Sequence, residues 1–146
     1  MWQEAIDEIA KSSQESSVYI GCDSQLGANN RVHYSTVVVL HKDSRNGCRV
    51  FHNSVTMPHY GSMRARLLQE VQLALEAFYA IEEVIEERAL EIHLDFNSDS
   101  KYASNVVTAE ALGWVRGLGL TAKIKPEAFA ATHAADHFVR THSSAG

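Results

Sequence analysis

Four carboxylates and one histidine are the residues whose type and spacing could do chemistry: Asp23, Glu70, Asp95, Asp136 and His133. Asp23 closes a short apolar run, 18–23, and Asp95 lies in the alternating run Leu90, Ile92, Leu94, Phe96. Each therefore sits at or near the carboxyl end of an expected strand. In an open α/β sheet, ligands bind beyond the carboxyl ends of the strands. If those two strands are parallel neighbours, the two side chains meet there. Adjacent carboxylates repel unless a cation lies between them. An oxygen-only site of that kind suits Mg²⁺ or Mn²⁺.

Helical geometry selects the third carboxylate. In the helix expected over 62–88, Leu67, Val71, Ala74, Phe78, Ile81 and Ile85 form one apolar stripe. Glu70 stands about 80° from the centre of that stripe, and Glu76 about 160°. Glu70 can reach the edge of the sheet from the second turn, whereas Glu76 faces water. Asp136 shares a face of the last helix with Phe129, Thr132, His133 and Arg140, among alanines that would let that helix lie close to the sheet. His133 and His137 form an i, i+4 pair able to chelate zinc, but no third ligand accompanies them at zinc-site spacing.

The elements that must position these residues follow from the same patterns. Trp2, Ala5, Ile6 and Ile9 recur at helical spacing, which predicts an opening helix within 1–16. Three strand-like runs follow at 18–23, 32–41 and 49–57, separated by turn residues, so they form an antiparallel meander. After the helix at 62–88 come a strand at 90–96, a second core helix and a strand at 120–125. The second helix carries Ala103, Val106, Val107, Ala111 and Trp114 at helical spacing and ends at 117–119. Pro126 opens a last helix to about residue 141. The expected architecture is α/β: one domain over 1–146, with a mixed five-stranded sheet flanked by helices and an N-terminal helical extension.

The formal charge is −5, but the acid is concentrated. Residues 82–91 hold five Glu and one Arg, and residues 1–16 hold four acids and one Lys. Outside these segments 11 Lys and Arg stand against 9 Asp and Glu, a net of +2. The balance permits a nucleic-acid partner without demanding one, and the acidic run reads as a solvated face. Cys22 and Cys48 do not form a C-x-x-C pair and read as two reduced, buried thiols. No apolar run approaches ~18 residues and no signal peptide opens the chain, so a cytoplasmic protein without a membrane partner is expected.

The order of elements resembles the ribonuclease H-like superfamily, with Asp after the first strand, Glu in the first core helix, Asp after the fourth strand and Asp in the last helix. More narrowly, Ile20-Gly21-Cys22-Asp23-Ser24-Gln25, Ile92-His93-Leu94-Asp95-Phe96-Asn97 and Lys125-Pro126-Glu127-Ala128-Phe129 with Ala135-Asp136 are similar to a family of small ribonuclease H-like proteins of bacteria and phages. The resemblance covers residues 17–142. It implies a ribonuclease H-like fold with Asp23, Glu70, Asp95 and Asp136 as ligands of two divalent cations, Mg²⁺ or Mn²⁺. One cation would activate water and the other would stabilise the leaving oxygen of a phosphodiester. His133 stands one helical turn before Asp136, where some junction resolvases of the superfamily carry a His or Asp. It would bind metal or shuttle protons.

Asp99-Ser100-Lys101-Tyr102 is similar to the segment that follows the fourth strand in ribonucleases H. The strand register nonetheless favours Asp95 over Asp99 as the ligand. The expected activity is nuclease action on RNA, RNA–DNA hybrid or structured DNA. Arg64, Arg66, Lys101, Lys123, Lys125 and Arg140 are the expected phosphate contacts, since they border the site. Two alternatives are a catalytically quiet binding or scaffold module, and a mononuclear metal site built from His93, Asp95, His133 and His137.

Overall fold

The β-branched runs pair as long strands around β1. The computed structural model describes the backbone of residues 1–44, 47–59, 61–94 and 101–124, and their side chains except those of 44 and 101–105. The elements in chain order are α1 (Gln3–Lys11), β1 (Ser17–Leu26), β2 (Arg31–His41), β3 (Cys48–Pro58), α2 (Met63–Ile85), β4 (Ala89–Leu94), α3 (Lys101–Gly117) and β5 (Thr121–Ile124). The sheet order is β3-β2-β1-β4-β5. β1–β2 and β2–β3 are antiparallel, while β1–β4 and β4–β5 are parallel. This is the mixed five-stranded sheet expected from a meander followed by β-α-β units.

β1 extends past its expected end. Ser24, Gln25 and Leu26 continue the ladder opposite Tyr34, His33 and Val32. The hairpin closes through Asn29 and Asn30, both at positive φ (59° and 54°), a conformation asparagine tolerates better than most residues. Asp23 consequently lies inside β1 and not at its end. α2 is shorter than expected. Its start is capped by Ser62, whose hydroxyl accepts the Ala65 N–H at 3.2 Å, and it stops at Ile85, where Glu86 turns to φ 51°. The expected continuation of the fourth strand to residue 96 and the last helix over 126–141 lie outside the described residues.

Strand alternation divides the side chains between two faces. Val18, Ile20 and Cys22 of β1 join Ile92 and Leu94 of β4 against Val71, Ala74, Phe78 and Ile81 of α2. A fully buried aliphatic side chain of this kind contributes roughly 1.5–3 kcal/mol. The other face carries a smaller cluster of Val37 and Val39, with Tyr19 and Val50 packed on it.

α3 turns a different stripe inward from the one expected. Val107, Ala111 and Val115 are buried, whereas Val106 is 70% exposed and Trp114 is 37% exposed. The expected set mixed i, i+3 and i, i+4 steps and so fitted two neighbouring phases of the helix. Packing on α2 and β5 selects the strict four-residue repeat.

α1 buries Trp2, Ala5 and Ile9. Arg49 ties it to the sheet, bonding Glu8 at 2.6 Å and Glu4 at 3.4 Å while lying over the Phe51 ring. At the far end of α2, Arg88 turns inward from the acidic run, its side chain 1% exposed. It donates to the carbonyls of Ser12 (2.5 Å), Val84 (2.7 Å) and Ala10 (3.4 Å) and to the Ser12 hydroxyl (3.0 Å). One guanidinium thus satisfies the last carbonyls of two helices. Both cysteines are free thiols, but Cys48 is exposed at the head of β3, which corrects the expectation that both are buried. Among the described residues, no helix is long and apolar enough to cross a membrane.

Candidate active site around Ser24

Ser24 sits at the meeting point of two of the expected carboxylates. Its hydroxyl donates to Glu70 Oε2 and its backbone N–H donates to Asp23 Oδ1 at 2.9 Å. Alternation along β1 turns Asp23 to one face of the sheet and Ser24 to the other, where α2 lies. Glu70 reaches Ser24 from the second turn of α2 and is 4% exposed, so it is buried where a boundary position was expected. Glu76 is exposed, as its helical angle requires.

Arg66 completes the cluster one turn before Glu70. Its Nε donates to the Ser24 hydroxyl at 2.8 Å, and a terminal nitrogen approaches the Ser24 carbonyl at 3.4 Å. Ser24 Oγ therefore accepts from a cation and donates to an anion, a charge-assisted relay that fixes its rotamer. Beside Arg66 opens a cavity of about 270 Å³ lined by Tyr34, Met57, Pro58, His59, Ala65 and Gln69.

The field of the carboxylates shows in their neighbours. Burial pushes the Cys22 thiol up to about 12, and the charges of Glu70 and Asp23 act in the same direction against the hydrogen bond from Thr36. Tyr34, opposite Ser24 in the β1–β2 ladder, is also raised, first by burial and then by Glu70, with Arg66 opposing. A thiol so held stays protonated at neutral pH and is a poor ligand.

The remaining expected site residues fall in three groups. Asp95, Asp99, His133, Asp136, His137, Lys125 and Arg140 lie outside the described residues, as does the side chain of Lys101. The β1–β4 ladder is described up to Gly21↔His93, which confirms that the two strands are parallel neighbours. Arg64 is paired with Glu110 of α3, its Nε 2.9 Å from the carboxylate. Lys123 pairs in register with His93, and its charge acts on that imidazole. His93 itself is 1% exposed, stacks on Tyr19 with ring centroids 4.9 Å apart, and bonds Glu91 at 2.9 Å. Burial lowers its pKa, with Glu91 opposing. Among the described residues, no three metal-binding side chains stand close enough to form a metal site.

Ser24 is the member of the cluster that reading the sequence missed. Its signal was parity: it continues the inward-facing series Val18, Ile20, Cys22.

A family model described as ribonuclease H-like matches residues 1–140. The chain belongs to the ribonuclease H-like family. The match spans every described element of the molecule, α1 included, and it agrees with the β-β-β-α-β-α-β order and the central position of β1. No curated protein and no solved structure matches the chain.

Proposed function

We propose that this chain is a divalent-metal-dependent phosphodiester hydrolase acting on nucleic acid, with its centre at Asp23 and Glu70. The observation that carries the reading is Ser24, which holds one carboxylate by its amide and the other by its hydroxyl. Evidence for the metal is the chemistry of the donors. Asp23 and Glu70 offer hard oxygens, and the neighbouring thiol is kept protonated, so the set fits Mg²⁺ or Mn²⁺ better than a soft cation. Asp23 and Glu70, turned to opposite faces of β1, would hold separate ions, and family resemblance adds Asp95 and Asp136 as further ligands, with His133 nearby. When bound, the metal would supply Lewis acidity for attack of water on the phosphorus.

The chain's own groups have separate tasks. Ser24 orients Glu70 and fixes the Asp23 rotamer. Arg66 places a permanent cation beside the carboxylates, where it can meet a phosphate oxygen. The other phosphate contacts are proposed to come from Lys101, Lys123, Lys125 and Arg140, whereas Arg64 would first have to leave Glu110.

One observation favours a second reading, a quiet nucleic-acid-binding module. Arg66 already bonds the Ser24 that holds Glu70, so the buried carboxylate has a compensating cation without metal. The deciding experiment is a cleavage panel of RNA–DNA hybrid, junction DNA and single-stranded RNA with Mg²⁺, Mn²⁺, Ca²⁺ or EDTA. Cleavage with Mg²⁺ or Mn²⁺ that disappears in EDTA and in Asp23→Asn supports the hydrolase. Binding without cleavage under every metal selects the module.

A further inference from the structure

The cavity beside Arg66 is lined by polar groups that the fold leaves unused. It measures about 270 Å³ and lies between the start of α2 and the end of β3. The ladders bring its residues together. Tyr34 stands opposite Ser24 and Met57 opposite Val32, so both turn toward α2. Arg66 and Gln69 are three residues apart on α2 and share a face. Asn30 holds His59 through its main chain: the His59 N–H donates to the Asn30 carbonyl at 2.8 Å, and the His59 carbonyl accepts the Asn30 amide at 3.1 Å. The rim is therefore formed before any ligand arrives.

Tyr34 points to a ligand. It is 4% exposed, it lines the cavity, and its hydroxyl has no hydrogen bond among the described residues. A buried hydroxyl without a partner costs free energy. Burial raises its pKa, so it stays a donor at neutral pH. The half-buried Gln69 amide likewise has no partner among the described residues. Arg66 spends Nε and one terminal nitrogen on Ser24, and its other terminal nitrogen has no partner among the described residues. Among those residues no carboxylate lines the cavity, whereas Met57 and Pro58 give it an apolar wall.

These groups select a class of ligand. A phosphate only accepts, so it would leave the Gln69 oxygen unused and gain nothing from the apolar wall. The edge of a nucleobase carries acceptors and donors side by side, and its flat face suits such a wall. Guanine fits the groups best. Its O6 and N7 accept from arginine, the commonest specific contact to a base, and its own N–H groups can donate to the Gln69 oxygen. Adenine presents an amine where guanine has O6, and that amine would face the guanidinium. The Tyr34 hydroxyl completes the set as donor or acceptor. A guanidinium has donors enough to meet a phosphate oxygen as well.

Resting on the hydrolase reading, we infer that this cavity receives one unstacked guanine base of the substrate strand, read by Arg66, Gln69 and Tyr34. Cleavage would then fall at a fixed distance from guanine.

The test uses labelled single-stranded oligouridine RNAs that carry one central G, A, C or U. Fluorescence anisotropy in EDTA measures binding, and gel mapping in Mg²⁺ and Mn²⁺ locates the cuts. Wild type is expected to bind the G strand about 10-fold more tightly than the U strand. Guanosine should displace the G strand, and inorganic phosphate at the same concentration should not. Gln69→Leu and Tyr34→Phe should each remove most of the preference for G and leave affinity for the U strand within about twofold. Gln72→Leu, exposed on α2 outside the cavity, should keep the preference. Without ligand, the melting temperature of Tyr34→Phe should hold or rise, because the hydroxyl has no partner to lose. A lower one would mean that the hydroxyl serves the fold.

Metal-dependent cleavage with equal binding of all four strands overturns the inference and leaves the hydrolase reading standing. A guanine preference that Gln69→Leu removes, without cleavage under any metal, overturns the hydrolase reading and leaves the pocket standing. Preference for another base, displacement by phosphate as effective as by guanosine, a preference that survives both substitutions, or no binding of any strand overturns the inference.

Discussion

Two arginines turn inward at opposite ends of α2, and they do so for different reasons. Arg88 is almost fully buried and spends its donors mainly on main-chain carbonyls of α1 and α2. Arg66 is half-buried, meets a single serine, and that serine holds a buried carboxylate. The first arrangement closes hydrogen-bonding groups that any helix end leaves open, and it needs no ligand to explain it. The second gathers a cation, a hydroxyl and two acids within one turn of helix and one step of strand, beside a cavity. Burial of charge alone does not mark a functional site. What the charge is bonded to separates the clamp from the candidate centre.

This contrast can be broken by substitution, and the largest effect on stability is expected at the clamp. Arg88→Met leaves several buried carbonyls without donors and should destabilise the protein by about 3–5 kcal/mol. Activity per folded molecule should be unchanged. Urea unfolding followed by circular dichroism measures the first, and specific activity of the folded fraction measures the second. A stable but inactive Arg88→Met would erase the distinction between the two ends.

At the other end the order reverses. Asp23→Asn or Glu70→Gln should lower cleavage by a factor on the order of 10² or more, as expected when an electrostatic element of a phosphoryl-transfer site is lost. For Asp23→Asn, melting temperature in EDTA should hold or rise, because repulsion with neighbouring acids is relieved. An equal melting increment from Mg²⁺ in wild type and Asp23→Asn would place the cation elsewhere.

A smaller effect is expected from Ser24→Ala. Glu70 loses a donor and Arg66 an acceptor, at about 1–2 kcal/mol of stability, and cleavage should fall roughly 10-fold as the carboxylates lose their common support. Ser24→Thr keeps the hydroxyl and should recover much of the rate. Failure of threonine to do better than alanine would reduce Ser24 to a packing residue.

The smallest effect concerns His93, which belongs to neither end. Its folded pKa lies below its ordinary 6.5 because it is buried. The unfolded chain therefore binds the proton more readily, and this residue's contribution to stability is lost as pH falls from about 6.5 toward the folded value. Unfolding curves of His93→Gln should be flatter than wild type across that window. Identical slopes would show that His93 takes up its proton without leaving the stack on Tyr19.

Much of this was legible in the residues themselves. Helical angle alone separated Glu70 from Glu76, and turn chemistry with β-branched runs specified the meander. The parallel contact of β1 with β4 was a condition of the expected Asp23–Asp95 pairing, and the structure meets it. Arg66 was expected to contact phosphate because it lies on a helix that borders the site. Other features were not local properties of the chain. Arg88 reads as one positive charge in an acidic run, and its role exists only because the ends of α1 and α2 come together in space. The inward stripe of α3 was ambiguous because Val106 and Trp114 fit a helical face as well as Val115 does, and only its neighbours α2 and β5 decide. Asp95, Asp136 and His133 remain proposals resting on resemblance.

Arg88 also sets the timing of the helix, in the sense in which a gear is timed. α2 leaves the Arg88 clamp and travels toward Glu70 with a rotation of about 100° and a rise of about 1.5 Å per residue. A single residue inserted or deleted between Glu70 and Ile85 would swing the carboxylate about a quarter-turn away from Ser24 while both helix ends stayed anchored. Substitutions along the outer face of α2 should therefore be tolerated freely, but changes in its length should not. The expected places for natural variation in length are the hairpin turns, where no such phase has to be kept.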